Sequence, residues 1–182
     1  MNIVTREIER LNSLVTQLLD YANPRAPSIM RFDLCEVIRD TLRVFAQNST
    51  FSAVKTQYAG DDGTQALHLH ADPEKIRQVI WNLLMNGAEA AAEGGCNLWV
   101  STHLEDASIV LTFRDDGPGI PSELLAEVFD PFFTTKSKGS GLGLAVVQNT
   151  ILDHKGHVWV ESEGRSGATF HVSLPYSPRH DA

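Results

Sequence analysis

Three observations predict an α/β two-layer sandwich, a mixed and mostly antiparallel sheet covered by helices and preceded by one long N-terminal helix. Helix-like and strand-like segments are mixed without the regular alternation that builds a parallel sheet. The 182 residues, 42% hydrophobic and 21% charged, suit one well-buried core plus an appendage. Asn23-Pro-Arg-Ala-Pro27 separates the two, because proline cannot continue a helix and disfavours helix in the residue before it.

Val4, Ile8, Leu11, Val15, Leu18 and Ala22 are spaced 4, 3, 4, 3 and 4 apart, a heptad seam along one side of a helix. Leu14 and Leu19 widen that stripe, as in a bundle with more than one neighbouring helix. Residues 1–23 are therefore read as the appended helix, 24–31 as linker, 32–176 as the sandwich and 177–182 as a tail. Asp33 can cap a helix carrying Val37, Ile38, Leu42 and Phe45 at helical spacing. Val54 to Tyr58 and Ala66 to His70 alternate like strands, with the turn residues Gly60-Asp-Asp-Gly63 between them. Asp72, with Pro73 in the first turn, opens a helix through Ile76, Val79, Ile80, Leu83, Leu84 and Ala88 that ends near Gly94-Gly95. Strands about Leu98 to Leu104 and Ser108 to Arg114 lead into Asp115-Asp-Gly-Pro-Gly119. A helix to about His154 follows the glycine-rich stretch at 139–143, then strands near Val158 to Glu161 and Ala168 to Leu174.

The formal net charge of −8, with basic residues scattered, argues against nucleic-acid binding by phosphate neutralisation. Cys35 and Cys96 form no disulfide framework and no C-x-x-C, which points to a reducing cytoplasm. No apolar run reaches the length of a membrane span, so no membrane contact is expected of this chain, with an anchor in a longer parent left open.

Four motifs stand in order. Asn82 and Asn86, four residues apart on a helix, project two amides from one face, where a carbonyl oxygen can complete the shell of a Mg²⁺ ion already on phosphates. Asp115 at a strand end can accept a hydrogen bond from an exocyclic amine, and Gly117 and Gly119 let a base lie against the backbone; a tight turn is the alternative reading. Phe129-Asp-Pro-Phe-Phe-Thr-Thr-Lys136 then runs into Gly139-Ser-Gly-Leu-Gly-Leu144. These glycines allow a close backbone approach, the amides of the opening helix are unsatisfied, and Lys136 and Lys138 add positive charge, although glycines also mark ordinary turns.

Together the motifs resemble the N, G1, F and G2 boxes of the ATP-binding domain of sensor histidine kinases, within the group that includes gyrase, Hsp90 and MutL. The resemblance covers about residues 30 to 175. It extends to Ala71-Asp-Pro-Glu-Lys-Ile-Arg-Gln-Val-Ile-Trp-Asn82 and to Gly156-His-Val-Trp-Val-Glu-Ser162 and Gly167-Ala-Thr-Phe-His-Val-Ser-Leu-Pro175. Pro-Phe-Phe-Thr-Thr-Lys is most similar to the nitrogen-regulation type.

The resemblance implies a Bergerat-type fold that binds ATP with Mg²⁺. Asn86 would be the principal metal ligand, with Asn82 in support, and Asp115 would read adenine beside Gly117 and Gly119. Thr134, Thr135, Lys136, Gly139, Ser140, Gly141, Leu142 and Gly143 would complete the nucleotide site. Residues Pro118 to Ser140 would form a lid anchored by burial of Phe129, Phe132 and Phe133. Gly87 departs from the family's usual alanine and is expected to loosen the helix slightly. Asp116 stands where asparagine is common and is expected to remain solvated.

The N-terminal helix resembles the second helix of a dimerisation and phosphoacceptor hairpin, which implies a homodimer through that helix. No histidine precedes position 68, so none is a good phosphoacceptor. The implied function is the catalytic core of a histidine kinase that phosphorylates a histidine on such a hairpin, for relay to a response regulator. The alternatives are an ATPase of the gyrase or MutL type and a non-catalytic or anti-sigma-like nucleotide-binding module. The ATPases carry a glutamate four residues before the metal-binding asparagine, where this chain has Asn82.

Overall fold

The computed structural model describes Leu18 and residues 26–60, 66–90, 96–136, 139–163 and 166–176. The expected N-terminal helix, Leu18 apart, and the tail at 177–182 lie outside the described residues.

Helix α1, Leu34–Gln47, starts where Asp33 accepts a hydrogen bond from the Cys35 amide at 3.0 Å, and it buries Leu34, Val37, Ile38, Leu42 and Phe45. Helix α2, Pro73–Ala90, is capped by Asp72, whose Oδ1 accepts from the amides of Glu74 and Lys75 at 3.0 and 3.2 Å. Helix α3 spans Gly143–Asp153. Helix α2 lies between the other two and packs on the sheet.

The main sheet has five strands. Strand β2, Val54–Ala59, pairs parallel with β4, Cys96–Glu105. Strand β5, Ser108–Asp115, lies antiparallel between β4 and β7, Thr169–Pro175, and β6, His157–Glu161, closes the far edge. One sheet face meets the helices: Ile109, Leu111 and Phe113 of β5 join Phe170, Val172 and Leu174 of β7 in the core. The period-2 alternation places Asp115 on that same buried face, which is why a carboxylate ends up against α2.

The strands read at Val54 to Tyr58 and Ala66 to His70 do not share a sheet. Strand β3, His68–Ala71, instead pairs antiparallel with β1, Met30–Asp33, from Met30 opposite Ala71 to Asp33 opposite His68. Met30 and Arg31, read as linker, are therefore strand. A parallel β2–β4 pair needs a long crossover, and β3 and α2 supply it.

Candidate functional site

Asn82 and Asn86 lie on the face of α2 that borders a cleft of about 510 Å³ between α2, the segment 118–141 and the start of α3. Asn82, Asn86, Asp115, Gly119, Thr134, Thr135, Lys136, Gly139, Ser140, Gly141 and Gly143 all line it. Gly117 and Leu142 do not. The Gly117 amide donates to Asp115 Oδ1 at 2.9 Å, and the Leu142 side chain is buried.

Asp115 is 4% exposed. Its Oδ1 accepts from the amides of Gly117 and Ala168, and among the described residues both of its side-chain hydrogen bonds fall on that oxygen, leaving Oδ2 for a ligand. Burial, the largest influence, raises its pKa above the ordinary carboxylate value; Asp116 adds to the rise, while the two amides and Lys136 oppose it. Behind it, a Cβ on Gly167 would stand 1.9 Å from the Asp115 carbonyl oxygen, and Gly167 has φ +87°. Glycine there lets the backbone just before β7 lie directly against Asp115. The sequence reading missed Gly167 and Ala168 as site residues, because their register against Asp115 is set by strand pairing. Asp116 is exposed, as expected, but the Asn97 side chain at 2.6 Å and backbone at 2.8 Å hold it and lower its pKa.

The Asn82 amide donates to the Gly143 carbonyl at 3.3 Å, tying α2 to the start of α3. Among the described residues no side-chain hydrogen bond caps α3, and Gly143 and Leu144 face the cleft, so the positive end of that helix is offered to it. The three glycines differ in use. A Cβ on Gly141 would meet the Phe132 backbone at 2.4 Å, and one on Gly139 would meet Thr134 Oγ1 at 2.4 Å, whereas one on Gly143 would meet nothing within 4 Å. Two of them therefore serve the packing of the loop itself, and Gly143 leaves room for a ligand. A Cβ on Gly87 would come within 2.6 Å of Leu98 Cδ2, so that glycine serves a close approach of α2 to β4.

The aromatic loop departs from expectation at one position. Phe129 is buried edge-on to Phe170, with ring centres 6.2 Å apart, and Phe133 packs partly against the core. Phe132 does not anchor the loop: it is 63% exposed, with φ +67°, and its amide donates to the Gly141 carbonyl at 2.9 Å. Its backbone fastens the loop, which turns the ring outward.

Lys136 reaches across the cleft to α2. Its Nζ donates to Asn86 Oδ1 at 2.9 Å, to the Asn86 carbonyl at 3.1 Å and to Glu89 Oε2 at 3.2 Å. The contact of Glu89 with Lys136 depends on the path of the loop that ends at Lys136, and it has no signal in local sequence.

The chain belongs to the family described as histidine kinase-, DNA gyrase B- and HSP90-like ATPases, whose profile matches residues 71–178. It is 32% identical over 175 residues to sporulation kinase E of Bacillus subtilis (strain 168), covering 96% of this chain and 23% of that protein. It is likewise 32% identical over 173 residues to the sensor histidine kinase ZraS of Escherichia coli (strain K12), covering 95% of this chain and 37% of that one. The chain thus spans well under half the length of these relatives. Among solved structures, a catalytic domain of the histidine kinase ThkA superposes with a TM-score of 0.73 at 29% identity, covering 83% of this chain and 97% of that chain. ThkA in complex with the response regulator protein TrrA gives 0.80 at 30% identity, covering 97% of this chain and 50% of that one. The Bergerat-type histidine kinase fold expected from the boxes is the observed one, and the domain is a nucleotide-binding one.

Proposed function

We propose that the chain is the catalytic core of a sensor histidine kinase, which binds Mg·ATP and transfers the γ-phosphoryl group to a histidine on a dimerisation hairpin, for relay to a response regulator. The observation that carries this reading is the convergence of Asn86, Asp115, Lys136 and Gly143, from four separate segments, on one cleft. In this reading Asp115 Oδ2 accepts from the adenine 6-amino group, and Gly119 borders the space for the base, while Gly117 serves the turn that holds Asp115 Oδ1. Thr134, Thr135, Lys136 and the backbone from Gly139 to Gly143 receive the phosphates, with the open end of α3 opposite their charge.

The oxygen donors around Lys136 Nζ suit a hard divalent ion, since the Asn86 amide oxygen already takes part in holding one cation. Mg²⁺ would be held by Asn86 with Asn82 in support, and bound to the phosphates it neutralises charge that develops during transfer. The chain's own residues position the nucleotide so that the γ-phosphoryl lies open to an acceptor nitrogen, and ADP departs as the new P–N bond forms.

A gyrase-like hydrolase is disfavoured because Asn82, in the position of the water-activating glutamate, donates to the Gly143 carbonyl instead. Among the described residues no helix is long and apolar enough to cross a membrane. The test is to offer the chain labelled ATP and a separate phosphoacceptor hairpin. Acid-labile, base-stable label is expected on the hairpin and none on this chain alone. Label on this chain alone, or none on the hairpin, refutes the assignment.

A further inference from the structure

We propose that Asn86 and Glu89 form a single cation seat, occupied in turn by the Lys136 ammonium and by the divalent ion that accompanies the nucleotide, so that Glu89 sets the metal dependence of nucleotide binding. This rests on the ATP-site reading above and adds a residue outside the four motifs read from the sequence. An ammonium group has three protons. Those of Lys136 are matched by the Asn86 side-chain oxygen, the Asn86 carbonyl and Glu89 Oε2, at 2.9, 3.1 and 3.2 Å. Asn86 and Glu89 are three residues apart on α2, so their side chains rise from one face of the helix.

The seat is built entirely of oxygen, one of them charged, which is donor chemistry for a hard cation. It also lies in the open: the side chains of Lys136 and Glu89 are 30% and 47% exposed, and an ion pair so placed holds weakly, so Lys136 is free to exchange. Among the described residues lining the cleft, the ionisable groups are Lys136, Glu89 and Asp115. Two carboxylates face one ammonium.

Once phosphates draw Lys136 away, Glu89 is left as an unpaired carboxylate close to a polyanion. That repulsion opposes metal-free nucleotide. A divalent ion on Asn86 Oδ1 removes it, because Glu89 then lies beside a second positive charge. Glu89 thus penalises ATP without metal and favours ATP with it.

The experiment measures displacement of a fluorescent ATP analogue from the full chain by ATP, once with excess Mg²⁺ and once with EDTA, for the wild type and for Glu89→Gln. The ratio of the EDTA to the Mg²⁺ dissociation constant is expected to fall at least about tenfold in the variant, chiefly through tighter metal-free binding. A ratio within about twofold of wild type overturns the proposal, including the case in which both affinities move together, as a merely structural role for Glu89 would require. Wild-type chain that binds ATP under neither condition overturns the ATP-site reading as well, and so is told apart from failure of the seat alone.

Discussion

The amide of Asp72 donates a hydrogen bond to Nε2 of His154 across 3.0 Å, joining the start of α2 to the end of α3. The His154 ring is 8% exposed, and its Nδ1 lies 2.7 Å from the Thr150 carbonyl, so the tautomer with hydrogen on Nδ1 satisfies both contacts. Asp72 Oδ2 also accepts from the Ser28 amide at 2.8 Å, which ties the incoming chain to the same point. His154→Phe keeps the bulk and removes the acceptor. It is expected to cost about 1 kcal/mol in denaturant unfolding, the lower end of the penalty for orphaning a donor, since the Asp72 amide is only partly buried.

Asp115→Asn preserves shape and removes the charge that would take the adenine amine. ATP affinity is expected to fall by about 1–3 kcal/mol, measured by titration calorimetry. An unchanged affinity would remove Asp115 from the site.

The same substitution acts on stability with the opposite sign. Because burial raises the folded-state pKa of Asp115, its ionisation at neutral pH opposes folding, and this cost fades as pH falls through that raised pKa. Asp115→Asn is therefore expected to melt above wild type at neutral pH, with the gap closing in acid. For Asp72 burial is again the largest single influence and raises the pKa. The amides of Ser28, Lys75 and Glu74 together outweigh it and leave the pKa lowered. Its stabilisation is present above the ordinary carboxylate pKa and lost as pH falls through the lowered one. Asp72→Asn is expected to melt below wild type at neutral pH and to converge with it in acid. Melting curves across that range test both signs.

Asn86→Ala removes the side-chain oxygen that Lys136 now engages. The variant is expected to lose the gain in ATP affinity that Mg²⁺ brings while still binding metal-free nucleotide, as read by calorimetry with and without EDTA. A retained Mg²⁺ response would move the metal elsewhere.

Leu11→Asp or Leu18→Asp places a charge in the heptad seam. If that seam is a dimer contact, sedimentation is expected to show monomer for either variant and dimer for the wild type, since a carboxylate cannot be buried there without a partner.

Much of the site was legible because its signals are local. A carboxylate at a strand end, two asparagines one helical turn apart and a glycine-rich helix start each depend on residues close in sequence. So does the cap of α1 by Asp33. Where several segments must agree, local reading failed. Phe132, in an aromatic run that suggested burial, is turned outward because its backbone pairs with Gly141. Gly87, read as a weak point, answers to Leu98 on β4.

By itself the sequence determined helices α1 to α3, the order of the boxes and the kinds of atom that line the cleft, since periodicity, caps and side-chain chemistry act over a few residues. Only the tertiary structure decided that β3 pairs with β1 and β2 with β4, that Gly167 closes behind Asp115, and that Lys136 rests on Asn86 and Glu89. Those choices turn on which distant surfaces bury most area and satisfy most hydrogen bonds together, and no short stretch of chain carries that sum.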